Sequence, residues 1–266
     1  MKFKNKIPSI LLTVVLVFSI IPSTTLTAWA ASDASTYKFD ISEGNITVSA
    51  GTDSGTLKVT FGSSQTLDNI AGAQVITIIG NSTASTITVA SALSQAVNIT
   101  LSGANIDASA SGSCAFSIAA GSTVNLTLTV TNTLKSGANY AGLSVPTGAT
   151  LTITEASTGS LAVTGGGNGA GIGGNGGNNG INDIKGTNGS GASNAGTVTI
   201  AGGTVTAIGG GAGIGGGRGG NGGNGSVGNG GIGGRGGSGG AGGAVTITGG
   251  TVTATGGGAG IGGGNA

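Results

Sequence analysis

Histidine is absent from this 266-residue chain, and cysteine, proline and charge are scarce: 1 Cys, 3 Pro, 9 Lys plus Arg and 8 Asp plus Glu. Without an imidazole there is no Ser-His-Asp or Cys-His nucleophile and no His-ligated zinc, because each needs that ring as base or ligand. A lone Cys114 excludes a disulfide framework within one chain. Low charge would suit a membrane span, yet no apolar run reaches the roughly 20 residues that cross a bilayer. Proline is too rare, and glycine too irregular, for a collagen triple helix. The many Val, Ile and Thr residues separate the chain from charged disordered tails.

At the start, Lys2, Lys4 and Lys6 precede an apolar stretch from Ile10 to Ile21, and Ala28-Trp29-Ala30 supplies the small residues that a signal peptidase reads. Residues 1–30 are therefore expected to be a secretory signal peptide cleaved between Ala30 and Ala31. Removal would leave Lys38, Lys58, Lys135, Lys185, Arg218 and Arg235 against eight acidic residues. With no basic patch to neutralise phosphates, no nucleic-acid partner is expected. Nor is membrane contact expected once the leader is gone. The implied location is secreted or cell-surface.

Internal repetition is the strongest signal. Val97-Asn98-Ile99-Thr100-Leu101 recurs 27 residues later as Val124-Asn125-Leu126-Thr127-Leu128, and again from Leu151 to Thr154. At the same offset Cys114 and Phe116 precede Ala141 and Leu143, and Ile87 and Val89 are assigned to Cys114 and Phe116. Further on, Val198 to Gly216 repeats as Val245 to Gly263, 47 residues later. Within each copy apolar residues alternate with Thr or Gly, which is the period of a strand with one buried and one wet face. Strands of three to five residues are too short to stand alone, so such units stack. The expected fold is all-β, a right-handed parallel β-helix, the hand following the general rule for parallel crossovers. A β-sandwich accounts less well for the equal offsets. Residues 31–62 are expected to form an N-terminal lead-in or cap, and 63–266 the β-helix. By alternation Cys114 points inward as a small buried group beside Phe116. Asn98 and Asn125, one coil apart, are read as two solvated amides rather than a stacked pair.

Most of the 61 glycines fall after residue 160. Two glycine-rich insertions, 175–195 and 217–243, each follow a Gly-Ala-Gly-Ile-Gly-Gly element and should leave the solenoid at one corner. In the second, non-glycine residues recur every third position, the period of a polyproline II helix. Two antiparallel extended arms joined near Gly228 to Gly231 are one outcome, and an unstructured loop is the other. No Gly-x-Gly-x-x-Gly string here lies between strand and helix, so none signals a nucleotide.

The chemistry is thin. Asp107 and Glu155 are the carboxylates weighed as a glycosidase pair, which needs a separation of about 5 to 9.5 Å. No charged partner stands near either in sequence, so no catalytic residues are assigned and the chain is read as a non-enzyme. Asp40, Glu43, Asp53 and Asp68 lack the spacing of a calcium loop, and neither a metal site nor a cofactor is expected. Tyr140, beside Asn139 and Lys135, is outward by alternation and is the candidate platform for stacking on a sugar ring.

The strings Gly209 to Gly217 and Gly256 to Gly264, each preceded by Thr-Val-Thr-Ala, resemble the glycine-rich β-helical regions of large bacterial secreted surface proteins of the adhesin-like or carbohydrate-binding-domain kind. That resemblance implies an extended stalk or display region and transfers no binding residues. The expected function is non-catalytic adhesion or contact with extracellular or cell-wall polysaccharide, by what reads as a fragment of a larger surface protein. A polysaccharide-degrading β-helix and a passive structural stalk are the alternatives.

Overall fold

The computed structural model describes residues 36–90, 93–225 and 231–266; the leader and its Ala30/Ala31 junction lie outside them. The described chain is a parallel β-helix whose coils have three faces. It opens with β1 (Lys38–Asp40) and β2 (Ile46–Ala50), joined by one 3-10 turn. Next come β3 (Thr56–Phe61) and β4 (Gln65–Ala71), then a coil of β5 (Val75–Ser82) and β6 (Ile87–Val89) and another of β7 (Val97–Asp107) and β8 (Phe116–Ile118). From there each coil has three strands. They are β9 (Thr123–Thr129), β10 (Thr131–Lys135) and β11 (Leu143–Ser144), followed by β12 (Thr150–Ile153), β13 (Ser160–Thr164) and β14 (Ile172–Gly173). The last two are β15 (Thr197–Ile200), β16 (Thr204–Gly209) and β17 (Ile214–Gly215), then β18 (Ala244–Ile247), β19 (Thr251–Gly256) and β20 (Ile261–Gly262).

The strand pairs β7/β9, β8/β11, β9/β12, β15/β18 and β17/β20 are parallel, one coil apart, in the register that the 27- and 47-residue offsets require. The long β7 turns a corner at Gly103 (φ 78°), so its first half pairs with β9 and its second half with β10. One expected register is corrected. Ile87 pairs with Phe116 and Val89 with Ile118, an offset of 29 rather than 27, because the corner between β6 and β7 is two residues longer than its counterpart after β8. Corners absorb length; strands do not.

Alternation sends one side of every strand inward, and like residues stack in columns. One runs Ile76, Ile99, Leu126, Ile153, Ile200, Ile247. Another runs Ile46, Ile87, Phe116, Leu143, Ile172, Ile214, Ile261. All are essentially fully buried except Ile247 and Ile261 of the last coil, each 45% exposed. A third column shrinks from Ile106 through Leu134 and Val163 to Ala207. A Cβ on Gly171 would stand 2.5 Å from the Gly213 carbonyl oxygen. At such a close approach of two backbones only glycine fits.

At the N-terminal end the parallel pattern stops. β2 pairs in parallel with β6 but antiparallel with β3, and β3 is antiparallel to β4. This meander extends to Ala71, past the boundary expected at residue 62. Phe39 and Phe61 close the core beneath it, their ring centroids 4.8 Å apart. The outermost strand β4 carries Gln65, Asp68 and Asn69, polar residues that suit an edge open to water.

Both glycine-rich insertions are ordered wherever they are described, and each is a pair of extended arms rather than an unstructured loop. In the first, the amides of Thr187, Ser190 and Ser193 donate to the carbonyls of Ile181, Asn178 and Asn175. In the second, Gly234, Gly237 and Gly240 donate to Gly223, Gly220 and Gly217. The insertions also bond to each other, Gly177 to Arg218 and Gly189 to Arg235 among others. Four arms thus form one bundle bonded at every third residue, the repeat of a polyproline II helix. The expected join near Gly228 lies outside the described residues. Asn179, Asn182, Asn188 and Asn194 each accept an arm amide at 2.7 to 2.9 Å, tying one insertion to the other.

Six polar residues are buried among the described residues, and Asn132 is the most deeply placed of them. Asn132 sits in an inward column with Leu161 and Val205 and is fully buried. Its Oδ1 accepts the amides of Gly103 and Ala104, both at 2.9 Å, and its Nδ2 donates to the carbonyls of Thr129 (2.9 Å) and Ser160 (3.1 Å). Three coils are pinned at one corner. Asn132→Ala is expected to cost about 3 kcal/mol by orphaning buried backbone groups, and Asn132→Leu to be no better although it matches Leu161; chemical denaturation measures both. In the bundle, the amides of Gly234, Gly237 and Gly240 should exchange slowly and those of Gly233 and Gly236 quickly. Gly220→Ala, whose Cβ would lie 1.9 Å from the Asn178 oxygen, should abolish that protection.

Candidate functional site

Outward positions of the solenoid also stack, and on the second face their identity changes abruptly. Asn81 of β5, Asn105 of β7 and Thr133 of β10 are register partners in three successive coils. Asn105 Nδ2 donates to Asn81 Oδ1 at 2.8 Å, and the Thr133 hydroxyl donates to Asn105 Oδ1. Two residues on, Asp107 and Lys135 face each other in the same register and form a 3.0 Å ion pair. These five residues, with Ser82, Thr83 and the edge of Ile106, line a cleft of about 450 Å3. In the following coils the same positions hold Ala162 and Thr164, then Thr206 and Ile208. The polar patch is therefore local.

Asp107 accepts hydrogen bonds from the Ser109 hydroxyl, Lys135 and the Ser109 amide. The Ser109 hydroxyl and then Lys135 hold its carboxyl at about 2, below the usual 3.8. It is an acceptor at every pH near neutrality and not a proton donor. Glu155, the other carboxylate of the expected pair, is exposed in the turn after β12 and does not line this cleft. The cleft thus presents one ionised carboxylate, one ammonium, two amides and hydroxyl groups on a fixed lattice. Two strand spacings, about 10 Å, separate its outer rungs.

The three expected contact residues do not share this cleft. Lys135 lines it; Tyr140 and Asn139 do not. Tyr140 is 39% exposed in the loop between β10 and β11. The Asn139 amide is committed to Asn178 Oδ1 at 2.9 Å, against the first insertion. Asn81, Asn105 and Thr133 escaped the sequence reading because β5 is offset from β7 by an irregular register near Gly80, so no repeat aligned them. Asn98 and Asn125 were read as separate solvated amides, but the Asn125 Nδ2 donates to Asn98 Oδ1 at 3.0 Å. An amide ladder is cheaper than two separately hydrated amides wherever register brings them opposite.

Cys114 is partly accessible as a residue, more than alternation implied, while its neighbour Ala115 is fully buried. Its sulfur is nonetheless desolvated: burial pushes the thiol up to about 11, and Sγ lies 3.1 Å from the carbonyl oxygens of Phe116 and Ala141, to either of which the thiol can donate. Asp68 of β4 is spent on the loop between β2 and β3, accepting from the Thr52 hydroxyl and amide, and on the Asn69 amide. Those bonds, the Thr52 hydroxyl first, lower its pKa.

A family model described as "Beta helix repeat" matches residues 198–218 and 245–265. Apart from the coil's first residue, each matched stretch takes in the three strands of one coil, β15 to β17 and β18 to β20. No curated protein and no solved structure matches the chain.

Asp107→Asn removes the ion pair, and its cost should stay below about 1 kcal/mol because both partners are half exposed. Since folding depresses this pKa, the stabilisation is complete above about pH 4 and is lost as pH falls toward 2. Thermal melts of the parent and the variant should accordingly differ at neutral pH and converge in acid.

Proposed function

We propose that this chain is a secreted, non-catalytic surface solenoid of bacterial origin that contacts carbohydrate, with the cleft of Asn81, Asn105, Asp107, Thr133 and Lys135 as its contact site. The observation that carries this reading is the fixed array of donors and acceptors across three coils. The Asn81 amide N–H groups and two of the three Lys135 ammonium protons have no partner among the described residues. Asp107 remains ionised beside them. Neighbouring hydroxyls of a sugar both donate and accept, so a rigid surface offering a carboxylate, an ammonium and amides at set spacing suits them without paying for ordering on binding. A binding role is favoured over cleavage because the carboxyl in the cleft is held too acidic to protonate a leaving group. The arrangement of residues 1–30 supports export.

The test is a panel of extracellular and cell-wall polysaccharides, with binding and reducing-end release followed in the same wells. Saturable binding without release is expected, weakened roughly tenfold by Asn105→Ala as two to three hydrogen bonds are disturbed, and unchanged by Tyr140→Ala. Release of reducing ends would transfer the chain to the degrading enzymes. Absence of binding across the panel would leave the passive stalk.

A further inference from the structure

The bundle of glycine arms ends in a feature that the rest of the surface lacks. Ile181, Ile184 and Ile232 are 70%, 62% and 71% exposed, the highest values among the exposed large hydrophobic residues described. They belong to three segments that the backbone gathers at one end of the bundle. Thr187 donates to the Ile181 carbonyl at 3.0 Å and Gly186 to the Ile232 carbonyl at 3.0 Å, and Ile184 lies in the turn between the first two arms. Exposed Lys185 and Arg235 flank them and make no ion pair among the described residues. Charge is segregated as well. The insertions carry Lys185, Arg218 and Arg235 against Asp183 alone, whereas the described solenoid carries Lys38, Lys58 and Lys135 against Asp40, Glu43, Asp53, Asp68, Asp107 and Glu155.

We infer that this tip docks into the interface of an anionic lipid membrane. Three isoleucines on a basic tip match a surface that is apolar a few ångströms down and negative at its headgroups. At the tip the Thr187 and Gly186 amides are bonded to the Ile181 and Ile232 carbonyls, and the intervening arm amides stay hydrated at headgroup depth, so that only the isoleucine side chains enter the apolar layer. The acidic solenoid body would be held off the same surface, which orients the molecule tip-first. The expectation that the processed chain avoids membranes rested on the absence of a spanning run, and an interfacial tip needs none. This site is separate from the carbohydrate cleft, and neither depends on the other.

The test uses the processed chain, residues 31–266, in which Ile184→Trp is the sole indole and serves as a reporter. With phosphatidylglycerol-containing vesicles its emission should shift to the blue and be quenched by brominated lipid, and neutral phosphatidylcholine vesicles should give a much weaker response. Lys185→Gln with Arg235→Gln should reduce the apparent partition to anionic vesicles by roughly tenfold or more. Ile181→Ser with Ile232→Ser in the reporter chain should reduce it by at least as much, with the far-ultraviolet circular dichroism unchanged. Emission indifferent to vesicles would overturn the proposal. So would self-association in sedimentation velocity that the two serine changes abolish, because the tip would then meet a second copy of the chain.

Discussion

Main-chain pairing between successive coils is the constraint on which this molecule depends. A strand such as β11 or β14 has two residues and adds one large side chain to the core, Leu143 or Ile172; it persists because its amides and carbonyls are satisfied by the coils on either side. That pairing forces like positions to lie over like positions, and the apolar columns follow from it. Stability is then a property of neighbouring coils, and any group that interrupts the ladder must supply its own partners. Asn132 does this at the corner where β9 passes into β10, satisfying amides and carbonyls in three coils with one side chain. Just before it, Val130 holds φ 48° and is 61% exposed, a conformation unfavourable for a β-branched residue. The corner is therefore strained at one residue and secured two residues later.

The same pairing rule explains the glycines without treating them as flexible linkers. Where one backbone lies against another, as at Gly171 beside Gly213 and Ile208, only hydrogen can occupy the space between them. The bundle carries this further: its arms have no side-chain core, and their cohesion comes from hydrogen bonds and from contact through bare glycine faces. Ordering so many glycines is costly in chain entropy. The cost is offset because each insertion bonds both within itself and to the other, and both begin at the same corner of adjacent coils, after β14 and after β17.

The fold was legible because its periods are written in apolar residues: Val97, Val124 and Leu151 mark one column without reference to any coordinates. The three-residue spacing of the second insertion likewise carried its geometry, although the first insertion, with less regular spacing, did not reveal that it joins the same bundle. The antiparallel β3 and β4 were hidden because alternation is identical for parallel and antiparallel strands. Asn132 was hidden for a related reason, since a polar residue in an alternating string reads as outward unless its partners are known. The site was least legible. Tyr140 and Lys135 are five positions apart in sequence, yet only Lys135 reaches the cleft; its true neighbours Asn81 of β5 and Asp107 of β7 come from two coils and one coil earlier.

A solenoid divides its residues by direction. Inward positions are bound by the columns and must repeat, so they can announce the architecture and say little else. Outward positions and corners are released from that requirement, so chemistry can be placed there without disturbing register. The longer corner between β6 and β7 shows such freedom in two residues, and the bundle shows it in two whole insertions. The informative outward residues are then those that break the repeat. Along one row Asn81, Asn105 and Thr133 give way to Ala162 and Thr206, and beside it the Asp107 and Lys135 pair gives way to Thr164 and Ile208. A purely structural stalk has no need of an ion pair and an amide ladder confined to three coils on one face. Their confinement is the physical reason to look for a ligand there.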